Sequence, residues 1–471
     1  MKKFVLILTT ITLFGGVFFV LRFAEKPGDT FSCPNCNVVL ITLTNLRYDH
    51  MSGNGYMRPT TPALDDLAKE SVVFDNAFAH SSWTLPEGIS IFTSLYPYQH
   101  GVMNRYDGSV LSQDTPTLID VLSENGYLTA GFTGGFDYSE AFGLTNGFGE
   151  YRECIEGKEE EVWRYGKISC SAPKALEWIQ NHRGRKFFIH VQGYDPHCPF
   201  SQEGSRYDPD YAGTVDFSNC LWTFGKTEPE IKDGKPYYAV DSSTTEGKMS
   251  ILLSEEDVAH LVALYDESIT KSDEAIGLFL SEIEKLGLND NTIVIFTSEH
   301  GDMLGKNGRF MRGGPLRGTF YDDVLHVPFF IKHPKLNPAR LEGLVEHVDI
   351  MPTVLDLLGI KPPPGLEGKS VVPVLAGGKE IREYVFAGSE FHPQDNPYFD
   401  ESSRTEAIRS KDFKLIKESI LSTTPPSFEV ELYDLRKDLE ELHNVAEDNR
   451  DILEQLLPKL NEWSEKIREG K

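Results

Sequence analysis

Four short stretches of the chain set chemistry-bearing side chains directly after apolar, β-branched runs. Thr44 and Asn45 end "NVVLITLTN". Thr84 lies in "WTLPEG", ahead of a helical pattern. His197 lies in "GYDPHCPF", after "FFIHV". Glu299 and His300 open "SEHGDMLG", after "TIVIF". Such runs read as buried strands that surface into loops. Loops at the carboxyl ends of parallel strands gather on one edge of a sheet, where ligands bind. A threonine hydroxyl beside a base can act as a nucleophile. Glutamate and histidine can hold a metal or move a proton. The first strand is the odd one: it delivers a hydroxyl and an amide, where a hard cation would need carboxylates.

The elements that must position these residues alternate strand with helix. "TTPALDDLAKE", "LPEGISIFTSLY", "TPTLIDVLSENG", "APKALEWIQNH" and "VDIMPTVLDLLG" read as helices between the strands "VVFDNAFAH", "YLTAGFT", "KFFIHVQG", "NTIVIFT" and "HVPFFIK". A long helix follows from the spacing of Val258, Leu261, Val262, Tyr265, Ile269, Ile276, Phe279 and Ile283, which is a buried face. This alternation predicts an α/β fold with a doubly wound, mostly parallel sheet. The Pro/Gly-rich "KPPPGLEGKSVVPVLAGG" marks a boundary. Closely spaced strands follow it, then an amphipathic helix from about Arg450, which predicts a smaller C-terminal antiparallel sheet plus helix. The expected organisation is therefore 1–24 as a signal peptide or membrane anchor, 25–36 as a linker, 37–378 as the α/β domain and 379–471 as a C-terminal α+β subdomain. Residues 201–247 lack periodicity and read as a long surface insertion beside the site.

Composition narrows the class. The formal net charge of -26 over 471 residues argues against non-specific nucleic-acid binding, which needs basic patches. Lys2 and Lys3 precede an uncharged run from Phe4 to Leu21, the pattern of a signal peptide or short membrane anchor and hence of a membrane contact and an extracytoplasmic location. Six cysteines fit an oxidising compartment. Cys33 with Cys36, Cys154 with Cys170, and Cys198 with Cys220 are candidate pairs, with connectivity left open.

Taken in order, the blocks "NVVLITLTNLRYDHMSGNGY", "TTPALDDLAKESVVFDNAFAHSSWTLPEGISIFTSLYPYQHGV", "ENGYLTAGFTG", "DPHCPF", "NDNTIVIFTSEHGDMLG", "RGTFYDDVLHVPFFIK", "EHVDIMPTVLDLLGI" and "ELYDLRKDLEELHNVAED" resemble the sulfatase family of the alkaline-phosphatase superfamily. The resemblance runs from Asn37 to the C-terminal helix. It implies an alkaline-phosphatase-like fold and cleavage of sulfate esters, with relatives that cleave or transfer phosphate esters. It also implies one divalent metal, calcium in most sulfatases, beside a formylglycine made from Cys or Ser.

Position by position, the resemblance carries metal ligation onto Thr44, Asn45, Glu299 and His300, of which Thr44 has lost the ligand type, Asn45 keeps only an amide, and Glu299 and His300 can still ligate. The nucleophile position falls on Thr84. Oxidation of threonine would give a ketone, so no formylglycine is expected. Glu87 and Gly88 take the places of a Ser and an Arg, and Glu87 sets a negative charge at a helix N-terminus where an anion would otherwise be favoured. His197 matches the active-site histidine. Arg317 in "LRGTFYDD" falls where Lys or His is usual and suits an oxyanion's oxygen pair. A further family lysine has no counterpart, since no Lys lies between Lys69 and Lys158.

Other roles are open to the same residues. Thr44 and Asn45 suit a strand-end turn, Thr84 a helix N-cap, and Glu299 with His300 a structural loop. The carboxylate count points to a pseudoenzyme with a degraded metal site and weak or absent sulfatase activity, binding a sulfate or phosphate ester, another anionic ligand or a partner. The alternative is an active metal-dependent sulfate or phosphate ester hydrolase, or a phosphoryl-group transferase, with Thr84 as nucleophile.

Overall fold

The computed structural model describes residues 6–13, 16–23, 31–105, 108–155, 165–200, 204–217, 220–221, 226–244, 247–310, 312, 319–391 and 402–469. The central sheet has nine strands: β1 (Asn37–Leu43), β2 (Val72–Phe78), β3 (Leu128–Thr133), β4 (Glu150–Glu153), β5 (Phe187–Gly193), β6 (Thr292–Ser298), β7 (His326–Val327), β8 (Phe329–Lys332) and β9 (Ala339–Glu346). Their order is 7-2-8-6-1-5-3-4, with β9 also beside β2. Strands 6, 1, 5, 3 and 4 run parallel, while β8 runs antiparallel between β6 and β2. The expected mostly parallel sheet is therefore present. "HVPFFIK" is its antiparallel exception.

All seven residues of β1, β5 and β6 are buried, as central strands covered on both faces must be. Alternate residues feed two cores. Val38 and Leu40 face α2 (Thr84–Thr93), α3 (Leu118–Glu124) and α6 (Ile350–Leu357) through Ile89, Leu118 and Val354. Val39, Ile41 and Leu43 face α1 (Pro62–Lys69), α4 (Ile168–His182) and α5 (Glu255–Lys285) through Leu64, Ala172 and Ile269. This is the period-2 geometry of a strand. Register then places the site: Leu43 pairs with Gly193 on one side and Ser298 on the other. The loops that begin at Thr44, Tyr194 and Glu299 consequently leave the sheet side by side.

The C-terminal strands β10 (Val385–Phe391), β11 (Ser403–Arg409), β12 (Phe413–Ile420) and β13 (Ser427–Asp434) form an antiparallel sheet in chain order. Helix α7 (Arg450–Glu469) covers it with Leu456, Leu460, Trp463 and Ile467 against Ile408, Leu415 and Leu432.

One expectation, the irregular insertion, changes. At the N-terminus Leu6–Leu13 pairs with Gly16–Phe23 as an antiparallel hairpin, which leaves the signal or anchor expectation untested. Among the described residues no helix is long and apolar enough to cross a membrane. The insertion is less irregular than its composition suggests, since Glu230–Lys232, Lys235–Thr244 and Gly247–Ser254 form a meander. The three cysteine pairs are all disulfides.

Candidate functional site

Thr44 and Asn45 both point at carboxylates, and both donate. Thr44 Oγ1 donates to Glu299 Oε2 at 2.7 Å, and Asn45 Nδ2 donates to Asp302 Oδ2 at 2.7 Å. Asn45 has a left-handed backbone, φ 70°, which asparagine tolerates better than most residues. Tyr265 of α5 clamps that turn: its hydroxyl donates to the Asn45 carbonyl at 2.6 Å and accepts from Arg47 N–H at 2.9 Å. Side chains and backbone both tie the turn down, but Asn45 Oδ1 is buried with no hydrogen-bond partner among the described residues. Asp302, which lies past the matched positions in sequence, is brought back to Asn45 by the loop after β6. Asp49 is not; it pairs with Arg47.

Glu299 is fully buried. Its other oxygen accepts from Tyr138 at 2.9 Å and, more weakly, from Thr42 at 3.4 Å. Burial pushes its carboxyl up to about 8, against the lowering effect of the hydroxyl donors from Thr44, Tyr138 and Thr84. Tyr138 reaches this position because residue 88 is glycine. A Cβ on Gly88 would lie 2.7 Å from the Tyr138 hydroxyl. The family's arginine position has therefore become the berth of a tyrosine ring.

Thr84 is the first residue of α2 rather than its cap. Trp83 is the N-cap and makes no side-chain capping bond. The Thr84 hydroxyl instead lies 3.2 Å from His300 Nε2. His300 Nδ1 faces the Gly301 carbonyl at 2.9 Å, so the ring proton sits on Nδ1 and Nε2 is an acceptor that competes with Glu299 for the Thr84 hydroxyl proton. Burial holds His300 well below the usual histidine range, which keeps it neutral. Glu87 does not oppose an anion at the helix start. Its carboxylate is buried, accepting from His80 and Ser81 N–H at 2.9 and 2.8 Å and lying 2.6 Å from His347 Nδ1.

His197 reaches the same centre. Arg312 Nη2 donates to its Nε2 at 2.6 Å, and Tyr165 OH lies 3.0 Å from its Nδ1. Burial, with the positive Arg312 and Arg105, drives its proton affinity well below normal. Arg317 lies outside the described residues. The basic groups found here are Arg312 and Arg105, which the sequence reading missed. Arg312 Nη1 also lies 3.3 Å from Asp302 Oδ2. Arg105 lies 2.6 Å from the Asp137 carboxylate and stacks over Phe136 and Trp83, 4.3 and 5.2 Å from the ring centroids. The resemblance puts a lysine after the "GYLT" block, whereas Arg105 comes from an earlier stretch of the chain. The one legible signal was a basic residue in the loop that follows α2.

Among the described residues, the one group of three His, Cys, Asp or Glu ligand atoms within 4.8 Å of one another is His197, Cys198 and Cys220, and its two sulfurs are bonded to each other. A cavity of about 730 Å³ lies between the insertion and α5, lined by Arg206, Tyr211, His260 and Lys271 among others. None of the residues of the centre lines it.

Comparison with known proteins gives a consistent family. The sulfatase family model matches residues 36–360, and a model of the C-terminal region of N-sulphoglucosamine sulphohydrolase matches residues 317–466. The chain is 25% identical over 475 residues to arylsulfatase K of Xenopus laevis, covering 92% of this chain and 82% of the relative. It is 24% identical to an N-acetylglucosamine-6-O-sulfatase of Bacteroides thetaiotaomicron, covering 87% and 82%. Among solved structures it resembles one in complex with its substrate D-glucosamine-2-N,6-O-disulfate (TM-score 0.70, 20% identity, covering 92% of this chain and 98% of that one). It also resembles the phosphonate monoester hydrolase of Agrobacterium radiobacter (TM-score 0.69, 23% identity, covering 92% and 96%).

Proposed function

The chain belongs to the sulfatase family, whose members are sulfuric ester hydrolases that generally bind a divalent metal, and from that premise we propose that it is an extracytoplasmic oxyanion-binding protein in which metal-dependent ester hydrolysis is lost. One observation carries this reading. The two residues at the first metal positions are hydrogen-bond donors turned onto carboxylates, Thr44 onto Glu299 and Asn45 onto Asp302. A divalent ion needs several oxygen acceptors with free lone pairs, mostly anionic. Here the oxygens of Glu299 accept from Thr44, Tyr138 and Thr42, and Asp302 accepts from Asn45 and Arg312; the one open oxygen, Asn45 Oδ1, is a neutral amide and supplies no anionic ligand. The residues present do not fit the family's metal, and no reaction step is assigned to one.

The ligand class follows from the cations. Arg312 and Arg105 both act on His197 and Asp137, and Arg105 lies over Trp83, the N-cap of the ten-residue helix α2 that Thr84 opens. Guanidinium groups beside a helix N-terminus favour a sulfate, a phosphate or one of their monoesters. Three disulfides support placement outside the reducing cytosol. The experiment is hydrolysis of 4-nitrophenyl sulfate and 4-nitrophenyl phosphate, with calcium and with a chelator, alongside calorimetric titration of inorganic sulfate. Binding without chelator-sensitive turnover is expected. Turnover that a chelator abolishes would overturn the proposal.

A second reading keeps turnover, and the Thr84–His300 contact is the observation in its favour. In that reading neutral His300 takes the Thr84 proton as the hydroxyl attacks the sulfur or phosphorus of the ester, whose ester S–O or P–O bond breaks to release the alkoxide. Loss of any measured turnover in Thr84→Ala, with sulfate binding unchanged, would favour it.

A further inference from the structure

We propose that the Arg312 guanidinium is the resident cation of this centre, in place of a divalent ion; the proposal rests on the reading above that no such ion is bound. Asp302 is 7% exposed and Arg312 9% exposed. A buried carboxylate needs a compensating charge or a full set of donors. Asp302 receives Met303 N–H at 2.9 Å on Oδ1. Its Oδ2 is shared by Asn45 Nδ2 at 2.7 Å and Arg312 Nη1 at 3.3 Å. Arg47, the other nearby cation, reaches only the Asp302 backbone carbonyl, at 3.1 Å, and is already engaged by Asp49 and Asp323. Arg312 is therefore the cation that meets the Asp302 carboxylate. Because Asn45 stands at a metal position and shares an oxygen with Arg312, the guanidinium lies one side chain away from that position.

The neutral pair at the end of β1 fits this arrangement. Arg105 is paired with Asp137, so Arg312 is the positive charge left beside Asp302, and that one carboxylate balances it. Aspartates at 44 and 45 would add two uncompensated negative charges beside Glu299 and Asp302. The same guanidinium fixes His197, since an imidazole nitrogen that accepts from Arg312 at 2.6 Å has no proton there to give. Arg312 Nε is buried and has no hydrogen-bond partner among the described residues, which leaves one charged donor for an oxyanion. Arg312 acts here as a positioning residue for Asp302 and His197.

The test uses the full chain and thermal unfolding of the wild type, Arg312→Ala and Arg312→Lys. Arg312→Ala is expected to melt several degrees lower and to recover with methylguanidinium chloride but not with the same concentration of tetramethylammonium chloride. Equal stability of Arg312→Ala and wild type, or equal recovery with both salts, would overturn the proposal. Should Arg312→Ala not fold, Arg312→Lys decides through the ¹⁵N shifts of the His197 imidazole. A changed Nε2 shift is expected and an unchanged one refutes the contact. A manganese anomalous peak at Asp302 in wild-type crystals overturns both this proposal and the functional reading. Unaffected Arg312 variants in a metal-free, inactive protein overturn this proposal alone.

Discussion

At the scale of single residues, Thr44 and Asn45 turn donors onto the carboxyls of Glu299 and Asp302. Burial of Glu299 outweighs those donors and leaves a measurable proton. Its carboxyl is raised to about 8, above the ordinary glutamate value it has when unfolded. Between those two values the folded chain holds a proton that the unfolded chain has released, so stability falls as pH rises through that window. Glu299→Gln, which keeps the shape of the protonated acid, is expected to flatten that decline in melting temperature; the same slope in both proteins would contradict the assignment. Thr44→Val removes the 2.7 Å donor and leaves a buried carboxyl oxygen short of a partner, at a cost of about 1–3 kcal/mol in denaturant unfolding. The double variant Thr44→Asp/Asn45→Asp adds two carboxylates beside Glu299 and Asp302. Its melting temperature is expected to fall in chelator and to rise when calcium is added, whereas the wild type responds to neither. A calcium-insensitive double variant would mean that Glu299 and His300 are no longer placed as ligands.

At the scale of elements, two disulfides frame the histidine. Cys198–Cys220 ties the residue next to His197 to the insertion, and Cys154–Cys170 closes the segment that carries Tyr165 onto His197. With a separation of 22 residues, loss of the first bridge in Cys198→Ser/Cys220→Ser is expected to cost about 3 kcal/mol in denaturant unfolding. Weaker sulfate binding should accompany it, since His197 loses its anchor. These pairings were legible as candidates from order alone, and the strands that carry Thr44, His197 and Glu299 from their unbroken apolar runs. The partners that decide the chemistry were not. Tyr138 meets Glu299 across 161 positions, and Arg312 meets His197 across 115. No local pattern encodes such a contact, and glycine at 88 reads as a missing arginine until the ring that fills its place is seen. Strands β4 and β9 were missed for a related reason: both are partly exposed and lack an apolar run.

At the scale of the whole molecule, the change of architecture after residue 378 need not be a boundary of folding. Val385, Ala387, Ala407, Ile416 and Tyr433 of the C-terminal sheet belong to the same apolar core as Ile89 and Val354. Buried Lys414 of β12 bridges Asp322 of the α/β part at 2.8 Å and Glu441 at 3.0 Å. A chain ended at 378 would expose that core and leave Asp322 with less of its countercharge, so it is expected to be insoluble, and the full chain to unfold in one calorimetric transition. Two separate transitions would contradict this. The same integration bears on the centre, because α2, which carries Thr84, packs into that shared core. The central claim concerns charge: a sulfatase fold has exchanged a divalent ion for donors and a guanidinium. Metal content of the purified full-length protein by inductively coupled plasma mass spectrometry, after dialysis against calcium and zinc, addresses it most directly. The account predicts far less than one equivalent of any divalent metal; one equivalent retained through dialysis and released by chelation would contradict it.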